Sequence, residues 1–504
     1  MSRSSVNIAT PRPSIAILGV PFDNVTKLEA IELVEGMIAS RQPHYLVTPN
    51  VDFLVQARRD VELRRILFEA HLVLCDGTPL VWASKLLGNP LPERVAGADL
   101  VPLLIQTAAR KKYRLFLLGA TAASAERAVE RLQQTYPGLI IAGHYSPPFN
   151  PLLEMDHEEI RRRIVAAQPD LLFVSFGCPK QEKWVAMHYR SLGVPVTAGV
   201  GATIDFLAGQ VKRAPVWMQR SGTEWMFRLA QEPRRLFRRY VTDFWVFGSS
   251  ILPQWWELQA RPGRHRRRVA GLLAAPPSSA AHESWCRMRL PNWLDLAAVR
   301  KTEGLFEEMT QGNQDCLLEL GSTRFVDSTG IGFLVRLQKR LRSRGRQLIL
   351  LEPSRPVLRA LRIMRLTEFF HIAENDQAAV ELLEKLKEEP LLSAGLPQMA
   401  ANRLLWRGEI TAANAEAVWA STYKYITAPA VDGQKIIDLC NVRFIDSTGL
   451  GLLVRARKLS LAREENLEFV GLRPAVRNVL RLSRLEEFLL GSRLPIRARA
   501  AIQV

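Results

Sequence analysis

One motif occurs twice in this chain, and no other feature restricts its fold as strongly. The stretch TRFVDSTGIGFLVRLQKRL at residues 323–341 is matched by VRFIDSTGLGLLVRARKL at residues 442–459. A repeat of this length is one supersecondary unit used twice, so whatever fold suits one copy suits the other. An apolar strand precedes each copy (316–320; 436–440), a helix follows, and a further strand (347–351; 467–470) leads into a last helix. Two small α/β domains are predicted, over residues 285–392 and 398–504, joined around Pro390 and Pro397.

Upstream of the repeat the composition changes abruptly, from RPGRHRRRVAG to AAPPSSAAHES across residues 261–284. A basic cluster followed by a small-residue, Pro-containing tract reads as a linker. Its arginines suit either a solvated tether or a membrane-surface contact.

Residues 1–260 form a third region in which apolar runs alternate with helical periodicity. Residues 14–20, 44–47, 114–119, 170–176 and 194–200 read as buried strands; 25–39 and 124–136 read as helices, the second stopped by Pro137-Gly138. Such alternation predicts a parallel sheet covered by helices, in which ligands bind beyond the C-terminal ends of the strands. The strand ends carry polar clusters: Thr48-Pro49-Asn50, Asp76-Gly77, Gly119, Gly177 to Glu182, and Gly199 to Ala202. Asp76 is either a general base delivered to that edge or the cap of a helix starting near Pro79.

The chain carries 68 Lys and Arg against 50 Asp and Glu, a net charge of +18, so anionic partners come first: a phosphorylated substrate, an acidic membrane or nucleic acid. Nucleic acid ranks last, because no helix-turn-helix, zinc-finger or RNA-binding motif accompanies the charge. The five cysteines are scattered without metal-ligand spacing, which predicts reduced thiols in a cytosolic protein. No signal-peptide segment is found, and the aromatic run from Tyr240 to Trp256 is interrupted by Asp243 and Pro253, so no membrane span is predicted. The part from Phe244 to Trp256 instead suits an amphipathic contact with an anionic membrane surface.

Within RAPVWMQRSGTEWMFRLAQEPRRLFRRY, residues 213–240, Arg228, Arg235 and Arg238 are offset by seven and three and can share a helical face. Three guanidinium groups on one face suit a diphosphate; a solvated basic face is the alternative, above all for Arg234 and Arg239.

In order along the chain, TPNVDFL, LCDGTPLVW, LPERVAGADL, LFLLGAT, YPGL, FGCPKQEKW, GVGATIDFLAG, KRAP and EWMFRLAQEPRRLFRRY make residues 14–247 resemble the WecG/TagA/CpsF family of bacterial glycosyltransferases. The resemblance implies a Rossmann-like domain over residues 1–260 with an Arg-rich C-terminal appendage. It implies inverting transfer of a sugar (N-acetylmannosamine-type, its uronic acid, or glucose) from a UDP-sugar donor to a polyprenyl-diphosphate-linked saccharide, in the synthesis of a surface polysaccharide. The place implied is the cytoplasmic, inner face of the cell membrane, as a peripheral protein. By motif, Asp76 matches the family's catalytic base; Thr48, Asn50, Arg94 and Gln181 match its pocket positions; and Arg228, Arg235 and Arg238 match the appendage residues that meet the donor diphosphate. No cofactor is implied, and the absence of an Asp-x-Asp motif from the first 260 residues argues against a divalent-metal clamp. The wording departs from the family's at Cys178 and over residues 144–149.

The two C-terminal repeats resemble STAS domains, the fold of anti-sigma factor antagonists. That resemblance implies a serine kinase, an anti-sigma-type protein or an assembly factor as partner, with Ser328 and Ser447 as candidate phosphorylation sites at helix N-termini. Helix capping by Asp327, Asp446 or the serines themselves is the plainer reading of the same motif. A non-catalytic sugar-nucleotide-binding scaffold that signals through the STAS pair is the alternative to an enzyme.

Overall fold

The computed structural model describes residues 12–210, 214–215, 217–218, 223–260, 278–281, 285–388, 397–400, 403–412, 414–429, 434–463, 465–483 and 485–490. Most of the tract read as a linker lies outside these residues. By its contacts the chain divides into two units, one holding most of residues 1–383 and the other residues 384–504 with 149–155 and 186–188.

The first unit opens with a hairpin rather than the single strand expected over residues 14–20. Strands β1 (Ile15–Ile17) and β2 (Val20–Phe22) pair antiparallel around Leu18-Gly19, both at positive φ. Glycine accepts that backbone at little cost, and it reverses the run midway. Helix α1 (Lys27–Ser40) starts from a capping box in which Thr26 and Glu29 satisfy each other's backbone N–H. Then follow β3 (His44–Val47), α2 (Val51–Ala57), α3 (Val61–Glu69), β4 (Leu72–Val73), α4 (Thr78–Leu86), α5 (Gly97–Lys111), β5 (Arg114–Gly119), α6 (Ala122–Thr135) and β6 (Ile140–Tyr145). The alternation continues through α7 (His157–Ala167), β7 (Leu171–Ser175), α8 (Lys180–Leu192), β8 (Val196–Gly199) and α9 (Thr203–Leu207).

Six strands make one sheet in the order β4-β3-β8-β7-β5-β6, every pair parallel, as the alternation predicts. Leu46, Leu72, Leu117, Phe173 and Ala198 on the strands pack against Val34, Leu104 and Ala128 on the helices. All six C-terminal strand ends therefore open on one edge. The appendage follows as α10 (Glu224–Gln231) and α11 (Pro233–Trp255), the latter extended by a wider turn over Trp256–Ala260.

The first repeat domain belongs to the same unit. Strand β9 (Ser278–Ala281), inside the expected linker, pairs antiparallel with β10 (Trp285–Arg289). The domain continues with β11 (Trp293–Leu294), α12 (Leu296–Lys301), α13 (Glu303–Gln311), β12 (Asp315–Glu319), β13 (Phe325–Val326), α14 (Ser328–Arg342), β14 (Leu348–Leu351), α15 (Arg355–Ile363), β15 (His371–Ala373) and α16 (Asp376–Glu388). Its main sheet runs β15-β14-β12-β10-β9. Cys286 and Cys316, distant in sequence, face each other across β10 and β12 with their sulfurs 3.0 Å apart.

Helix α14, which carries the repeated motif, lies on the β1–β2 hairpin. A Cβ on Gly332 would stand 2.5 Å from the Ser14 carbonyl oxygen, so only glycine permits this approach. Phe68 stacks on Phe369 with ring centres 4.7 Å apart, and Glu69 pairs with Arg342 at 3.0 Å. Ala16, Phe68 and Leu258 join the apolar core of the repeat domain.

The second unit holds the second repeat domain: β16 (Gln398–Ala400), β17 (Arg403–Ile410), α17 (Ala415–Thr427), β18 (Gln434–Ile445), α18 (Ser447–Ala462), β19 (Asn466–Val470), α19 (Pro474–Leu482) and α20 (Glu486–Leu490). Its sheet runs β16-β17-β18-β19, with β16 antiparallel to its neighbour. Asp327 and Asp446 cap their helices, accepting from Gly330 N and Gly449 N respectively, so the capping reading of the motif holds in both copies.

Candidate active site

Asp76 lies where three loops meet at the C-terminal edge of the sheet. Beyond the end of β4 the chain stays bonded to the loop after β3, with Leu74 N donating to Val47 O at 2.9 Å and Asp76 N to Pro49 O at 3.0 Å. On its other side Val95 N donates to Cys75 O at 2.8 Å, which draws Arg94 alongside Asp76. Helix α4 takes Gly77 as its N-cap, so Asp76 stands one residue before the capping position that the sequence left open to it. Asp76 is half-buried, and Thr48, Asn50 and Arg94 lie on the same edge.

Each neighbour is held by a local device. The Thr48 hydroxyl rests against the first residue of α5, where a Cβ on Gly97 would come within 3.3 Å of it. Asn50 caps α2, its side-chain oxygen accepting from Phe53 N at 3.3 Å, and Gly77 packs beside its Cβ. Arg94 donates through Nη1 to Glu224 at 3.0 Å and through Nη2 to Asp99 at 3.0 Å.

Gln181 stands at the same edge, on the helix after β7, three strands along from β4. It is buried, its side-chain oxygen accepts from Gly177 N at 3.2 Å and Gly201 N at 3.1 Å, and its nitrogen donates to Glu182 at 2.7 Å. Gln181 thus braces the loop after β7 against the loop after β8. Glu182 is equally buried, and desolvation pushes its carboxyl up to about 7.

The appendage helices carry Arg228, Arg235 and Arg238. The side chains of Arg228 and Arg235 lie outside the described residues; Arg238 is exposed. Arg239 reaches Asp52 at 3.8 Å. Between α10 and α11 runs an open apolar groove of about 690 Å³, bordered by Trp225, Met226, Leu229, Phe237 and Arg238. Phe237, Val241, Phe244, Trp245, Leu252 and Trp256 are all exposed, and their spacing of three, four and seven to eight places them on one stripe of α11. Leu236, Phe247, Ile251 and Gln254 form the buried opposite face. No helix among the described residues is long and apolar enough to cross a membrane.

Ser328 is fully buried at the start of α14, where its hydroxyl oxygen accepts a hydrogen bond from Gln254 Nε2 at 2.9 Å. Gln254 also donates to Ala16 O at 2.9 Å and accepts from Leu18 N at 2.8 Å. A kinase reaches Ser328 only if the first repeat domain leaves this seat. Ser447, at the start of α18, is buried as well.

Three residues to which sequence reasoning assigned no role hold the others: Glu224 bonds Arg94, Glu182 bonds Gln181, and Gln254 bonds Ser328. Glu224 left one faint signal, an acid at a helix start within a strongly basic segment. Gln254 left none, because its partners are more than 70 residues distant in the chain.

Residues 15–261 match the Glyco_tran_WecG family, described as glycosyl transferase WecG/TagA/CpsF; residues 277–379 match the STAS domain, and residues 398–491 match the Mlab-type STAS domain. Two relatives from Staphylococcus aureus, strains MW2 and NCTC 8325 / PS 47, are named N-acetylglucosaminyldiphosphoundecaprenol N-acetyl-beta-D-mannosaminyltransferase. Each is 32% identical over 226 residues, covering 44% of this chain and 87% of the relative. The segment matched by the family model contains the sheet edge just described, and the chain belongs to the WecG/TagA/CpsF glycosyltransferase family, with two STAS domains following its transferase domain.

Proposed function

We propose that this transferase moves a sugar, of the N-acetylmannosamine, uronic acid or glucose type, from a UDP-sugar to a polyprenyl-diphosphate-linked saccharide with inversion, in surface polysaccharide synthesis. The observation that carries the reading is the meeting of Asp76 with Thr48, Asn50 and Arg94 at one sheet edge. An acceptor hydroxyl has a pKa far above neutral, so a carboxylate within hydrogen-bond reach takes its proton as the new glycosidic bond forms. The departing nucleoside diphosphate needs positive charge, which Arg228, Arg235 and Arg238 supply without a metal ion. Thr48, Asn50 and Arg94 line the sugar-nucleotide pocket, and Gln181 shapes it through the two loops it braces.

The exposed stripe of α11 lies in the boundary of an anionic membrane, and the groove beside α10 receives the lipid end of the acceptor. The chain then works as a peripheral protein at the cytoplasmic face. The first STAS domain acts in cis, holding the end of the appendage through Ser328 and Gln254. The second offers the surface for a serine kinase, an anti-sigma-type protein or an assembly factor.

The test is a panel of UDP-sugars assayed with a short-chain prenyl-diphosphate N-acetylglucosamine acceptor, with the product identified by mass spectrometry. UDP release coupled to one added sugar supports the reading. Donor binding without release overturns it.

A further inference from the structure

We propose that Glu224 is a positioning residue of the transfer reaction: it holds Arg94 beside Asp76, so that the site is fully assembled only when the appendage is seated. The inference rests on the reading of Asp76 as the base. Arg94 is the one described cation whose backbone is drawn alongside Asp76 by the Val95–Cys75 hydrogen bond. Its two carboxylate contacts differ in origin. Asp99 sits five residues away on α5, so that contact exists whatever the appendage does. Glu224 sits 130 residues away on α10, so that contact exists only when the appendage is docked.

Burial makes the arrangement specific. Glu224 is only 6% exposed, although the other described side chains of α10 are half-buried or exposed. Removing a carboxylate from water carries a large desolvation penalty, which a guanidinium hydrogen bond offsets when the geometry is good. With Glu224 in place, the Arg94 fork is divided between Glu224 and Asp99, with one amino group on each. Without it, one side of the fork is released, and Arg94 can turn from its place beside Asp76. A guanidinium that turns no longer fixes the charge beside the base. Appendage docking and base alignment are thereby one event.

The experiment compares full-length Glu224→Gln, Glu224→Asp, Arg94→Lys and the double variant Arg94→Lys/Glu224→Gln. Each is assayed for transfer and for hydrogen exchange over residues 223–260. Expected for Glu224→Gln is a fall in kcat of about tenfold or more with donor KM within about twofold, since the interaction aligns groups rather than binding substrate. Glu224→Asp should recover part of that loss. The double variant should be no slower than Arg94→Lys alone, because the two residues act through one contact. Exchange over the first turn of α10 should speed up in Glu224→Gln and, to the same extent, in Arg94→Lys. Unchanged kcat, or losses that multiply in the double variant, overturn the inference. If the parent chain transfers no sugar at all, the functional reading fails by itself. The exchange data still decide the contact: equal acceleration in both variants supports it, and unchanged exchange removes it.

Discussion

Gln254 donates a hydrogen bond to the hydroxyl of Ser328, 2.9 Å away, joining the last turn of the appendage helix to the first residue of the STAS motif helix. The same carboxamide also bonds Ala16 O on β1 and Leu18 N in the turn, so three parts of the chain meet on one buried side chain. Gln254→Ala should therefore leave a buried N–H and a carbonyl unpaired and cost on the order of 3 kcal/mol. Ser328→Asp should do more, by placing a charge where no cation is within hydrogen-bond reach among the described partners. Thermal unfolding checks the first. Faster proteolysis within residues 261–284 of Ser328→Asp than of the parent checks that the domain has left its seat.

Asp76→Asn tests the base. Donor binding should be largely retained and turnover should fall by roughly two to four orders of magnitude, the range for loss of a general base. Equilibrium binding of the UDP-sugar and single-turnover rates separate the two quantities. Near-parental turnover would remove Asp76 from the reaction.

Glu182 makes stability depend on pH in a definite direction. Its folded carboxyl is raised to about 7 by burial, against an ordinary value of 4.5. The folded chain therefore binds the proton more tightly than the unfolded chain. Stability from this group is fully present below pH 4.5 and is lost as pH rises through 7. Glu182→Gln keeps the acceptor for Gln181 while abolishing the titration, so it should flatten that slope. Above pH 7 it should be the more stable protein, by on the order of 3 kcal/mol. Urea unfolding at pH 5 and pH 8 provides the comparison.

The stripe on α11 predicts lipid binding. Phe244 and Trp245 are each about three-quarters exposed, so replacing both with Ser should leave the fold intact. Co-flotation with vesicles rich in anionic phospholipid should fall by about tenfold or more, given roughly 1.5–3 kcal/mol for each large apolar side chain buried. Equal flotation of the parent and the double variant would assign membrane contact elsewhere.

What the sequence determined by itself was everything carried by local period and local turn chemistry. The alternating apolar runs and helices of residues 14–207 prescribe a parallel sheet, because strands buried on both faces must be apolar throughout. The repeated DSTG motif prescribes two equal domains, each with an aspartate cap. The residue types at Thr48, Asn50 and Asp76 were legible because each follows a strand, and parallel strands deliver their ends to one edge; Arg94, between two helices, was legible only through its motif. Tertiary structure alone decided that Gly19 turns the first strand into a hairpin on which α14 lies, that Gln181 braces two loops, and that Ser328 is covered by Gln254. Only the fold, too, brings Glu224 to Arg94. Those contacts join segments between 20 and more than 300 residues apart, and whether such segments meet depends on how whole faces pack, which no short window of residues encodes.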